Sequence, residues 1–102
     1  MHVLTALYGQ PADPAAFDEY FARVHTPIAQ RVLDRGLRGA TITRFRPEPD
    51  GTPAAYHLKV DIAADSAEVM DAALASPAGL AAAEDVANFA TGGVVVLRGE
   101  VD

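Results

Sequence analysis

The stretch Phe17 to Ile28, FDEYFARVHTPI, constrains this chain more than any other. Phe17, Tyr20, Phe21, Val24 and Ile28 recur at i, i+3, i+4, i+7 and i+11, the apolar stripe of an amphipathic helix. Asp18, Glu19 and Arg23 take the opposite side. Pro27 then interrupts the pattern. It has no N–H for the Arg23 carbonyl, and it disfavours helical dihedrals at Thr26. The spacing predicts a break there, with Thr26 as a fresh cap and a short second segment carrying Ile28, Val32 and Leu33 up to Gly36. His25 sits two residues before the break, and packing alone does not account for an imidazole at that position.

Around this helix the periodicity alternates between two and about 3.6 residues. His2 to Tyr8 reads as a strand that is apolar on both faces. Asp13-Pro14 is a cap followed by proline at the first helical position. Arg38 to Arg46 is extended, and a Pro-rich loop with Asp50-Gly51 at its tip leads to Ala55–Ile62. In that strand Tyr56, Leu58, Val60 and Ile62 alternate with His57, Lys59 and Asp61. Asp65 is expected to cap a helix with Val69, Met70, Ala73 and Leu74 inward. Ser76-Pro77 should cap the next, on which Asp85, Asn88 and Phe89 share one side. Val94 to Arg98 is a continuous apolar strand, the pattern of one covered on both faces.

The order β-α-β-β-α-β is that of an α+β, ferredoxin-like fold, with a four-stranded antiparallel sheet and helices on one face. At 102 residues the chain, 1–102, reads as one domain. Half of its residues are hydrophobic, but many are Ala, which buries little area. A homodimer, two sheets facing each other as a dimeric α+β barrel, is the economical way to cover the second sheet face.

Composition removes several function classes. A net charge of -6 leaves no basic surface for nucleic acid or for an anionic membrane. Without cysteine there is no disulfide, thiolate ligand or thiol nucleophile. With three His, a dedicated metal site is not expected, and no phosphate-binding loop or HExxH pattern suggests a cofactor. No basic leader or membrane-length apolar run precedes the first strand, so the expectation is a cytoplasmic protein.

Several segments resemble the EthD-like family. Tyr20 to Ile28 is similar to its YxxxHxP segment with a following aliphatic residue, and Ala73 to Gly79 resembles its Ser-Pro turn between helices. Asp85-Val86-Ala87-Asn88-Phe89 resembles its Asp-x-x-Asn-Phe run, and the first strand ending in Tyr8 also fits. The resemblance covers essentially the whole chain. It implies a dimeric α+β barrel associated with catabolism of small organic compounds. Members are often labelled reductases, so an oxidoreductase is one implied activity. Barrel relatives include cofactor-free monooxygenases and isomerases.

On this basis His25 is the candidate general acid/base and Asp85 the partner that orients it. Tyr8, Tyr20, Tyr56, Asn88 and Phe89 are candidates to bind a small hydrophobic organic substrate beside the first helix. Two other readings stay open. In one, His25 only satisfies a carbonyl freed by Pro27; in the other, the chain is a non-catalytic metabolite-binding or assembly module. His57, on the polar face of its strand, is expected at a dimer contact.

Overall fold

Alternating side chains set the sheet, and the helices cover only one side of it. The computed structural model describes all 102 residues. Its strands are β1 (His2–Gly9), β2 (Gly39–Arg44), β3 (Tyr56–Ala64) and β4 (Val94–Glu100). They form one antiparallel sheet in the order β2-β3-β1-β4. Along β1 the buried residues are His2, Leu4, Ala6 and Tyr8, which face the helices. Register carries that face across the sheet: Leu4 lies opposite Ile62, Ala6 opposite Val60 and Tyr8 opposite Leu58. The ferredoxin-like arrangement expected from the sequence is the one observed.

The helices are α1 (Pro14–Tyr20), α2 (Thr26–Leu33), α3 (Ala67–Ala75) and α4 (Pro77–Asp85). The Asp13 carboxylate accepts from Ala16 N to start α1. The break expected at Pro27 does not occur. Instead Phe21–His25 forms a π-turn that joins α1 to α2, and Thr26 keeps right-handed helical dihedrals. Its N–H reaches back five residues to the Phe21 carbonyl, and its hydroxyl donates to the same oxygen at 2.7 Å. The extra residue in this turn loosens the ladder where the proline ring would meet the preceding turn. It also changes the phase of the stripe. Val24, expected in the core, is 41% exposed, whereas Phe17, Phe21 and His25 follow one another inward.

The start of α3 and the cover of β4 also differ from expectation. Ser66, not Asp65, caps α3 through its hydroxyl on Val69 N; Asp65 pairs with Arg38 instead. Ser76 caps α4 as its Ser-Pro sequence predicts, accepting from Gly79 N at 3.1 Å. β4 is uncovered on both faces, contrary to the reading of its continuous apolar run. Val94, Val95, Val96 and Leu97 are each more than a third exposed.

A polar clasp ties β4 to its neighbours. Buried His2 donates from Nδ1 to Glu100 at 2.7 Å and accepts at Nε2 from Arg98 at 2.8 Å. Arg98 continues to Asp71 on α3 at 2.6 Å. The sequence assigns His2 no role, because its partners are separated from it by nearly the whole chain.

The core has two parts. Leu4, Ala64 and Met70 pack under α3, while Ala6, Tyr8, Phe17, Phe21, Leu58 and Phe89 pack under α1 and the π-turn. α4 reaches the second part because the turn before it is tight: a Cβ on Gly79 would lie 2.3 Å from the Leu74 carbonyl oxygen. Gly79→Ala should therefore push α4 off α3 and lower stability by roughly 1–3 kcal/mol. Thermal denaturation monitored by circular dichroism checks this, with a melting point about 5–15 °C lower expected.

Candidate functional site

Four elements meet at the π-turn. β1 supplies Tyr8, the first helix supplies Tyr20 and His25, and the end of α4 with its following 3-10 turn (Val86–Asn88) supplies Asp85, Asn88 and Phe89. Tyr20 and His25 are five residues apart, a spacing that an ordinary 3.6-residue helix puts on different faces. The π-turn brings both to the same carboxylate.

Asp85 is the hub. Its Oδ2 accepts from His25 Nδ1 at 2.9 Å. Its Oδ1 accepts from the Tyr20 hydroxyl at 2.6 Å and from Asn88 Nδ2 at 3.0 Å. Both His25 and Asp85 are buried, at 6% and 8% exposure. Burial pushes the Asp85 carboxyl upward, but the bonds from Tyr20, Asn88 and His25, with the attraction of His25, outweigh it. The carboxyl is held below its usual range and is ionised at neutral pH. The ionised carboxylate fixes the tautomer: Nδ1 carries the proton it donates, and Nε2 is left as an acceptor.

Aromatic rings enclose this pair. His25 lies 4.7 Å from the Phe89 ring and 5.6 Å from Phe21, between centroids. Tyr8 packs against Phe17, Phe21 and Phe89 at 5.5, 6.1 and 5.5 Å. Phe17 stacks on Phe21 with 7° between planes. The space between the first helix and the sheet is thus filled by rings, and access to His25 is from its remaining exposed edge. A surface groove between α2 and β2 opens beside Thr26 and runs past Gln30, Arg38 and Ile42. His25 does not line it.

The structure brings Tyr8, Tyr20, His25, Asp85, Asn88 and Phe89 together. It does not bring Tyr56, which lies opposite Gly9 past an irregularity in the β1–β3 register and makes no ring contact with the cluster. His57 Nε2 bonds to Asp18 at 2.8 Å, and its ring meets Phe17 edge-on. Tyr20 donates its hydroxyl to Asp85, and Asn88 donates one of its two amide N–H groups to the same oxygen. No group of three or more acidic or histidine side chains is placed to hold a metal ion.

The EthD domain model matches residues 9–93, a span that includes every residue of the hub. This chain belongs to the EthD family. An EthD-family protein from Bacillus halodurans C-125, known from a crystal structure, is 31% identical; the match covers 100% of this chain and 99% of that one, with a TM-score of 0.89. A Rhodococcus erythropolis protein, described as an uncharacterized 11.0 kDa protein of the thcB-thcC intergenic region, is 38% identical over 95% of this chain and 91% of its own. At the level of fold alone, a dimeric ferredoxin-like protein from Jannaschia sp. CCS1 matches at a TM-score of 0.72 and 15% identity, over 99% of this chain and 100% of that one. The hydroxynitrile lyase of Passiflora edulis matches at 0.74 and 13%, over 99% and 94%. No helix of this EthD protein is long and apolar enough to cross a membrane.

The hub makes stability depend on pH with a definite sign. The Asp85 carboxyl titrates lower in the folded chain than in the unfolded one. Its contribution is therefore complete above the ordinary carboxylate pKa of about 4 and is lost as pH falls through its lower folded value. Asp85→Asn should melt roughly 5–10 °C below the parent at pH 7. Calorimetry between pH 7 and pH 2.5 should show that gap closing on acidification.

Proposed function

We propose that this EthD-family protein is a small-molecule enzyme that works by proton transfer at His25, on a small hydrophobic organic substrate bound at the aromatic cluster. The observation that carries the reading is the buried His25–Asp85 bond of 2.9 Å. A carboxylate on Nδ1 fixes the ring's orientation and tautomer and offsets the charge of the imidazolium once a proton is taken. If His25 only satisfied a carbonyl near Pro27, its N–H would point into the helix; it points instead to a charge on another element. Tyr20 and Asn88 act as positioning residues that hold Asp85. The rings of Phe21 and Phe89 beside His25 make its surroundings apolar, which suits a substrate of low polarity. An oxidoreductase role of the kind associated with the family would add an electron carrier to the same acid/base group.

The homodimer belongs to the same proposal. The face of the sheet away from the helices carries Val3 and Leu7 on β1 with Val95 and Leu97 on β4, by the register of those strands. A contiguous apolar surface of this kind marks an interface. The fold-level likeness to a dimeric ferredoxin-like protein supports a second copy as the partner. Two facing sheets then make the α+β barrel. The alternative of a non-catalytic binding or assembly module keeps this interface and dispenses with proton transfer.

The experiment is a thermal-shift screen of small carbonyl, phenolic and ether compounds, followed by turnover of those that bind. His25→Gln should keep the fold and lower turnover by about 10²–10⁴-fold. A folded His25→Gln protein that turns its ligand over like the parent would sink the acid/base reading; ligands that bind with no turnover by either protein favour the binding module. For the interface, Leu97→Glu should give a monomer in sedimentation velocity runs where the parent is a dimer.

A further inference from the structure

Tyr20, Asn88 and His25 Nδ1 each place one donor on Asp85. The Asn88 amide oxygen has no partner within the chain. The Tyr8 hydroxyl and His25 Nε2 are also left over. Nowhere in the protein is a side-chain nitrogen or oxygen both fully buried and without a partner. These two atoms therefore reach the solvent boundary, although their residues are only 4% and 6% exposed. Both rings also share the same neighbours. Phe89 lies 5.5 Å from Tyr8 and 4.7 Å from His25, and Phe21 lies 6.1 Å and 5.6 Å from them. The two leftover polar atoms thus belong to side chains that pack on the same two phenylalanine rings.

The two atoms have opposite hydrogen-bonding character. Nε2 accepts, because Asp85 holds the proton on Nδ1. The Tyr8 phenol donates: burial first, and the nearby Asp85 charge second, push it up to about 12. It stays protonated across the working pH range. The same burial and negative charge disfavour an anionic ligand, and the surrounding rings favour an apolar one.

Resting on the acid/base reading of His25, we infer that Tyr8 is the oxyanion donor of this site and that its substrate class is a neutral, apolar carbonyl compound with an acidic α C–H. The carbonyl oxygen accepts from Tyr8 while the α-carbon faces Nε2. His25 removes the α-proton: the C–H bond breaks, its electron pair forms the C=C bond, and the carbonyl π pair moves onto oxygen. Tyr8 stabilises that oxygen, and Asp85 stabilises the imidazolium. His25 then returns the proton to the same carbon or to a conjugated one. The balance is an exchange or an isomerisation, with no oxidant, reductant or co-reactant. A donor aimed at developing oxyanion charge in a dry site is among the larger contributions an active site makes.

The probe is 1-phenylpropan-2-one in D2O, with loss of the α-CH2 signal followed by proton NMR. The parent protein should exchange it faster than buffer. Tyr8→Phe should slow the exchange by about 10²-fold or more, while the imidazole nitrogen-15 shifts of His25 stay those of the Nδ1–H tautomer. His25→Gln should reduce exchange to the buffer rate. Exchange by Tyr8→Phe at the parent rate overturns the donor role. A probe that shifts the His25 nitrogen signals without exchanging overturns the substrate class and leaves the acid/base site in place. A probe that neither binds nor exchanges overturns the class as well, and the broader compound screen then judges His25 separately.

Discussion

The structure turns on a buried carboxylate that holds three side chains. Asp85 is buried against aromatic rings, where an isolated charge is costly. It persists because three donors from three parts of the chain converge on its two oxygens. Tyr20 before the π-turn, His25 at its end and Asn88 after α4 are thereby fixed relative to one another. Both oxygens bond within the chain, and the imidazole of His25 is one of the groups they hold in place.

The π-turn is what makes that convergence possible. Pro27 removes a donor from the helix, and a regular helix would carry the cost as a kink or a lost bond. Here one extra residue absorbs it, and the change of phase turns His25 inward and Val24 outward. A local backbone defect and a buried titratable group thus have one cause. Such turns tend to occur at functional positions, because they aim a side chain that regular periodicity would point elsewhere.

Much of this was legible in the sequence because it is local. Strand alternation, the Asp13 and Ser76 caps and the element order follow from nearest neighbours in the chain, and they carry the ferredoxin-like fold. The residues Tyr8, His25, Asp85, Asn88 and Phe89 stand out by type and by resemblance to EthD-like segments. What could not be read is an irregularity of the backbone or a contact distant in sequence. Helical periodicity places Val24 in the core, since the phase shift at Pro27 needs the Phe21 carbonyl to accept from Thr26. Tyr56 looks like its fellow tyrosines by composition, but the register change beside Gly9 leaves it outside the cluster. The His2 clasp is invisible because Glu100 and Arg98 lie at the opposite end of the chain.

β4 carries a different consequence. Val94-Val95-Val96-Leu97 is an edge strand with apolar side chains on both faces and no charge before Arg98. It has the composition of an aggregation-prone segment, which natural sheets guard with charge, proline or cover. Within one chain only the pairing with β1 and the clasp through Arg98 restrain it. It is also made after β1, β2 and β3, so the sheet spends part of its synthesis without this edge. A cover over this strand would then protect the new chain as well as complete the sheet. Left uncovered, the strand is a ready template for cross-β stacking.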